Sequence, residues 1–345
     1  MKVLGRNATP NEETEASIKV LLKTSLLERT DGGGEVLYSL HPSTIAFVQA
    51  HQDDQQTLEV QTHRRAGDWL EERAKTSRSI WVDIEAGHHL FEAGEYDRSN
   101  ELLGPASVTL RQHGRVRESL QLLLPFLEVG KEADFSPQLR GQCLGRIGNT
   151  YISLGEMEKA IRFHEQALVI SHEIEDRRGV GGDLCNLGIA YARLGKVEKA
   201  IGFYQQALAL SRETGNRQGE CNVLGNLGNV HAILGLAERE CGNTHAFRSQ
   251  EEKAIGFYEQ ALAISRELGN RRAEGYALGG LSDSYEKLGQ EKKAISFSKQ
   301  YLDIAREVGD RYGEGNALGN LGNAYAKLGQ VDKAIDFYEQ YLGIA

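Results

Sequence analysis

The sequence predicts an all-α solenoid, a row of helix–turn–helix units stacked in chain order. Three observations predict it. A self-similar unit recurs over residues 138–345, and its Leu-Gly glycines Gly155, Gly195, Gly235, Gly289 and Gly329 are spaced by 40, 40, 54 and 40 residues. Inside each unit, small and aliphatic residues return every three or four positions, the period of a helix face. Glycine is also unevenly placed: 29 of the 39 follow residue 140, whereas all 5 prolines precede residue 138. Gly-rich, Pro-free sequence with helical periodicity is neither collagen nor a flexible linker.

Residues 1–55 stand apart from this pattern. Ile18–Thr30 reads as an amphipathic helix. A Gly-rich turn follows, then a short alternating strand over Glu35–Leu40 and a helix after Pro42. Residues 56–137 read as worn helical hairpins, with turns at Gly94 and Gly114 and with Trp69 and Trp81 expected in the core. Five clearer units then occupy 138–345.

The second of these units shows the wording best. Leu184, Leu187, Gly188 and Tyr191 share one helical face, and Leu194-Gly195 ends that helix, glycine supplying the left-handed cap. The next helix carries Ala200, Ile201, Tyr204, Ala207 and Leu208. It ends at a Gly-Asn or Gly-Asp turn, seen at Gly215-Asn216, Gly269-Asn270 and Gly309-Asp310, whereas the first unit has Glu175-Asp176 there. The 54-residue step is one period plus a 14-residue insertion near 236–250, read either as a solvated loop between lengthened helices or as a wall beside a binding face.

This pattern resembles the tetratricopeptide repeat (TPR), whose spacing is met by Leu184, Leu187, Gly188, Tyr191, Ala200, Tyr204 and Ala207, and again by Leu318, Leu321, Gly322, Tyr325, Ala334 and Tyr338. The chain departs at Ser282 and Ser298, and at Tyr301 and Tyr341, which stand at a small position. The forty-residue period and the GNLGNxY wording are most similar to the Pins/LGN and kinesin-light-chain branch. The resemblance implies a right-handed superhelical solenoid whose first helices line a concave, peptide-holding groove. Over residues 1–55 the order strand, His41-Pro42, helix, with Leu26-Leu27, Tyr38 and Leu40, resembles the winged-helix end of STAND ATPases, in which such a module precedes a repeat sensor. No GxxxxGK[ST] loop occurs, so that resemblance implies the C-terminal part of a larger switch, or a relative without its motor. The last hairpin stops inside its second helix, which reads as a trimmed chain.

Composition excludes other classes. Net charge is −9, and residues 1–60 are themselves acidic, which disfavours a nucleic-acid partner. No apolar run reaches membrane-span length, and the N-terminus lacks a signal-peptide core. The four cysteines form no CxxC pair, as expected of reduced thiols in a cytoplasmic protein. Cys241, His245 and His231 do not have metal-ligand spacing, and His88-His89 is given no metal role. No nucleophile elbow, HExxH or strand-borne GxGxxG is present, so neither an enzyme nor a cofactor is expected.

Groove positions follow from the repeat frame. The resemblance points the residue after each Leu-Gly pair, and the residue three earlier, into the groove. These include Asn149, Asn186, Asn226, Asn229, Asp283, Asn320 and Asn323. An Asn side chain both donates and accepts, so it can pair with a peptide amide regardless of the peptide's sequence. Asn is a poor helix former, so such a ladder needs a reason, and bonding between neighbouring hairpins is the alternative to ligand. Arg193, Lys287 and Lys327 lie a turn further on and could meet acidic groups. The expected function is capture of a protein or extended peptide by the sensor arm of a STAND-type signalling protein. The alternative is a winged-helix DNA-binding regulator with a TPR effector.

Overall fold

The computed structural model describes residues 27–32, 35–40, 55–77, 79–129 and 135–344. The chain separates into two compact units, Met1–Ser136 and Pro137–Ala345.

The first unit opens with an antiparallel hairpin, β1 (Leu27–Gly32) and β2 (Glu35–Leu40), in which Leu27 pairs with Leu40 and Gly32 with Glu35. The strand expected at Glu35–Leu40 is present. The helix expected over Ile18–Thr30 is not continuous, because Leu27–Thr30 belong to β1; residues 18–26 and the segment after Pro42 lie outside the described residues. Local periodicity favours a helix there, but pairing with β2 satisfies the same backbone groups.

Helices α1 (Gln55–Ser77), α2 (Ile80–Glu92), α3 (Tyr96–Gln112) and α4 (Val116–Leu123) follow. Turns fall at Gly94 and Gly114, both in the left-handed region. Glycines let the helices close: Gly67 of α1 faces Leu90, and Gly87 of α2 faces Leu103. Leu90, Leu103, Leu123 and Phe126 form the buried centre. The expectation that Trp69 and Trp81 belong to this core is overturned, since they are 46% and 51% exposed. The inward faces of their helices are taken by Gly67, Leu70, Ala86 and Leu90. Each indole instead carries a guanidinium on its ring, Arg73 on Trp69 and Arg115 on Trp81.

The second unit is five antiparallel hairpins: α5 (Pro137–Leu154) with α6 (Met157–Glu173), α7 (Arg177–Arg193) with α8 (Val197–Glu213), α9 (Arg217–Glu240) with α10 (Thr244–Glu267), α11 (Arg271–Lys287) with α12 (Glu291–Val308), and α13 (Arg311–Lys327) with α14 (Val331–Leu342). A continuous core runs from Val180 to Ala324. Leu187, Leu224, Leu227, Leu278, Leu281, Leu318 and Leu321 are all but inaccessible, and each such burial contributes roughly 1.5–3 kcal/mol.

Three local devices repeat. At the Leu-Gly turn, Gly195 has φ +72° and Lys196 N–H reaches back to Tyr191 C=O at 2.9 Å, closing the helix end. At the next turn a side chain caps the following helix: Asp176, Asn216, Asn270 and Asp310 accept from the amides of Gly179, Gly219, Ala273 and Gly313 at 2.9–3.1 Å. Inside each hairpin a Tyr or His stacks on a Phe, as Tyr191 does on Phe203 at 5.3 Å and Tyr285 on Phe297 at 5.5 Å.

Several acidic residues are buried. Glu220 and Glu274 are 7% and 6% exposed, and each is held by two arginines, Arg212 with Arg217 and Arg266 with Arg271. Arg217 and Arg271 also reach Glu267 and Glu307 of the next hairpin. The charges therefore form a ladder that joins successive repeats.

The insertion is helix rather than loop. α9 and α10 have 24 residues each where α7 and α8 have 17. Seven added residues are about two helical turns, so the buried face is kept while each helix grows by about 10 Å. Gly235, expected at a Leu-Gly turn, is buried inside α9; the turn moves to Gly242, with φ +77°.

Candidate functional site

The first helices α5, α7, α9, α11 and α13 bring several of the expected positions into three cavities. One, of about 760 Å³, lies between α9, α11, α12 and α13 and is lined by Asn229, Tyr258, Tyr276, Asp283, Tyr301, Tyr312 and Asn320 among others. A second, of about 260 Å³, adjoins it and shares Asn229, Tyr258 and Asp283 while adding Ile233, Leu236 and Lys287. A third, of about 270 Å³, is lined by Asn149, Asn186, Arg146, Asp176 and Asp183. Arg193, Asn226, Asn323 and Lys327 line none of these three.

Asn226, Asn229, Asn320 and Asn323 have internal partners. Tyr258 Oη donates to Asn229 Oδ1 at 2.5 Å, and Asn229 Nδ2 donates to Tyr276 Oη. Tyr338 Oη donates to Asn323 Oδ1 at 2.7 Å. Asn320 Nδ2 donates to Asp283 Oδ1 at 2.5 Å, and Asn226 Nδ2 lies 3.5 Å from Cys185 Sγ, so these two join adjacent hairpins. The three cations are engaged in the same way. Arg193 Nη1 donates to Ile152 C=O at 2.9 Å, Lys287 pairs with Glu251 at 3.4 Å, and Lys327 pairs with Glu286 at 2.6 Å.

Burial shapes the chemistry of the larger cavity. It pushes the phenols of Tyr258, Tyr276 and Tyr301 above the usual tyrosine range, so they stay protonated donors. Asp283 keeps solvent contact, yet the crowded walls raise its carboxyl, with Lys287 drawing it back down. Glycines set the floor: a Cβ on Gly280 would lie 2.4 Å from the Tyr258 ring, and one on Gly279 would lie 3.0 Å from Tyr301. The cavity therefore offers aromatic faces, hydroxyls and amides at close approach.

The tyrosines were the residues missed. Tyr276 stands where Asn222 and Asn316 stand in the flanking repeats, and Tyr312 where Gln218 and Arg272 stand. Tyr301 replaces the small residue seen as Ala207 and Ala261. Their departure from the chain's own wording was the available signal.

At the N-terminal unit, His63 Nδ1 lies 2.8 Å from His89 Nδ1. Among the described residues no cluster of three His, Cys, Asp or Glu is arranged to hold a metal, and no helix is long and apolar enough to cross a membrane. Cys143, Cys185, Cys221 and Cys241 are all free thiols.

No curated protein matches the chain. Among solved structures it is similar to a Signal Transduction ATPase with Numerous Domains (STAND) protein with a tetratricopeptide repeat sensor, PH0952 from Pyrococcus horikoshii, at 18% identity and TM-score 0.56, covering 95% of this chain. The chain spans 52% of that protein's length. It is similar to the apo form of RapI at 15% identity and TM-score 0.58, covering 83% of this chain and 97% of that one. A putative kinesin light chain from Podospora anserina is similar over 61% of this chain and 96% of its own, at 19% identity and TM-score 0.45. Family models described as Tetratricopeptide repeat match residues 143–178, 184–240, 236–307 and 315–345, more than half of the sequence. The chain belongs to the tetratricopeptide repeat family.

Proposed function

We propose that the chain captures an extended segment of a partner protein along the first helices, centred on the cavity between α9 and α13. The observation that carries this reading is the four-tyrosine lining of that cavity. Tyrosine offers a large, rigid, amphipathic contact at low entropic cost. About 760 Å³ falls within the range of ligand pockets and accommodates a few side chains of a peptide. The neighbouring Asn229, Asn316 and Asn320 amides supply hydrogen bonds that do not depend on the peptide's sequence.

In the larger protein such an array serves as the sensor arm of a STAND-type switch, with ligand capture altering the stacking of hairpins. The similarity to a STAND protein with a repeat sensor and the β1–β2 hairpin ahead of the helices support this part of the reading. A peptide-display selection against the full chain tests capture. Enrichment on the wild type that is lost on Tyr276→Ala and Tyr312→Ala is expected; enrichment indifferent to both substitutions contradicts the site.

A further inference from the structure

The 14-residue insertion does more than lengthen two helices. Its first residue, Leu236, joins Ala232 and Ile233 along one side of the 260 Å³ pocket between α9 and α11. Leu236 corresponds in the repeat frame to Lys196, Gln290 and Gln330, which lie in turns; only the longer α9 makes it a wall residue. Ile233 stands where the second, fourth and fifth repeats carry Arg193, Lys287 and Lys327 and the first carries Ser153, so at this wall the cation of those three repeats is missing. Ile233 is 49% exposed, an apolar surface with no covering side chain.

The opposite side is polar. Asp283, Ser284 and Lys287 of α11 line it together with Asn229. The Lys287 ammonium is drawn away to Glu251 of α10, a carboxylate with no exposed surface, at 3.4 Å. Ser284 Oγ is fully buried and turned to the Glu251 carboxylate. Among the described residues Asp283 forms no ion pair, and its one hydrogen bond is the amide of Asn320. Lys287 thus faces two carboxylates, Glu251 and Asp283, so the pocket keeps one net negative charge beneath an aliphatic wall.

That combination matches the amphipathic build of a basic side chain, apolar along its stem and charged at its tip. We propose that this pocket takes one lysine or arginine of the bound segment, its methylenes against Ala232, Ile233 and Leu236 and its cation on Asp283. The partner thereby supplies the cation that the array omits at this repeat. The inference rests on the capture reading above and gives it a charge specificity.

The test is the same display selection, read for composition. Peptides enriched on the wild type carry Lys or Arg at one fixed position. For a synthetic peptide so selected, Asp283→Asn and Ile233→Lys each weaken binding about tenfold or more, equivalent to about 1.4 kcal/mol. Replacing that basic residue by norleucine in the peptide costs the same on the wild type and little on Asp283→Asn. Both substitutions lie on exposed positions, and unchanged thermal melts confirm folding. Enriched peptides without a fixed basic position, or affinity indifferent to Asp283→Asn, overturn this inference and leave capture standing. No enrichment at all overturns capture and this inference with it.

Discussion

Gly188 and Tyr204 share one volume: a Cβ built on Gly188 would lie 2.5 Å from the Tyr204 ring. The same closure joins Gly228 to Tyr258 and Gly322 to Tyr338. In the fourth hairpin two small residues meet instead, Ser282 and Ser298, whose hydroxyls bond at 2.5 Å. Each hairpin therefore allows only one bulky partner at this crossing. Gly188→Ala is expected to cost about 1–3 kcal/mol through forced repacking, measured by urea unfolding. A change under a few tenths of a kcal/mol would mean that the hairpin is looser than the contact indicates.

Among the described residues Glu175 is the one non-glycine with positive φ, 56°, at a turn where Gly215, Gly269 and Gly309 stand in later repeats. An L-residue is strained there, and glycine is not. Glu175→Gly is expected to stabilise the first hairpin by about 1 kcal/mol, read as a raised thermal midpoint. A lowered midpoint would show that the Glu175 side chain contributes more than its backbone costs.

The ion ladder gives the array an acid limb. Burial raises the carboxyl of Glu220, but hydrogen bonds from Arg212 and Arg217 outweigh it and leave the group below its usual value. A carboxylate depressed in the folded state contributes stability above its unfolded value, about pH 4.3, and loses it as pH falls through the lower folded value. Wild-type stability should fall over that acidic range, and Glu220→Gln should flatten the fall while lowering stability at pH 7. Parallel pH curves for the two proteins would contradict the assignment.

Because the insertion adds whole turns to both helices, removing it should leave the frame intact. Deleting residues 236–249 restores the forty-residue step and joins Gly235 to Gln250, the wording of Gly195-Lys196. The shortened chain should keep its helicity per residue by circular dichroism. Loss of buried Phe247 should cost about 3–5 kcal/mol, and Gly235 should revert to a left-handed turn. A collapse of helicity would show the extension to be part of the core's continuity.

Much of the fold was legible because a repeat displays its own grammar. Gly195, Gly289 and Gly329 turn where their wording predicts, and so do Gly215, Gly269 and Gly309; that Asn216, Asn270 and Asp310 also cap the next helix is added by the structure. Gly235 misled for the same reason: the Leu-Gly wording was present, but continued helix formers and the seven-residue arithmetic carried α9 past it. The burial of Glu220 and Glu274 has no mark in the local sequence, because it depends on the tertiary meeting of two arginines at each carboxylate. Trp69 and Trp81 were assigned inward by hydrophobicity alone, whereas the phase of their helices turns them outward. Around the candidate groove, the asparagines were visible as a ladder, but their partners were not. Asn229 meets Tyr258 and Tyr276 across three helices, 29 and 47 residues away in sequence.

If the tyrosine-lined cavity holds a partner segment, removing one tyrosine must weaken its binding. Equilibrium binding of a display-selected, fluorescently labelled peptide, followed by anisotropy on the wild type and on Tyr276→Ala, tests it most directly. Tyr276 is 49% exposed, so its truncation should leave the thermal midpoint within about 2 °C, the shift of roughly 0.5–1 kcal/mol, while affinity falls at least about tenfold. Equal affinity of the two proteins for that peptide would contradict the account.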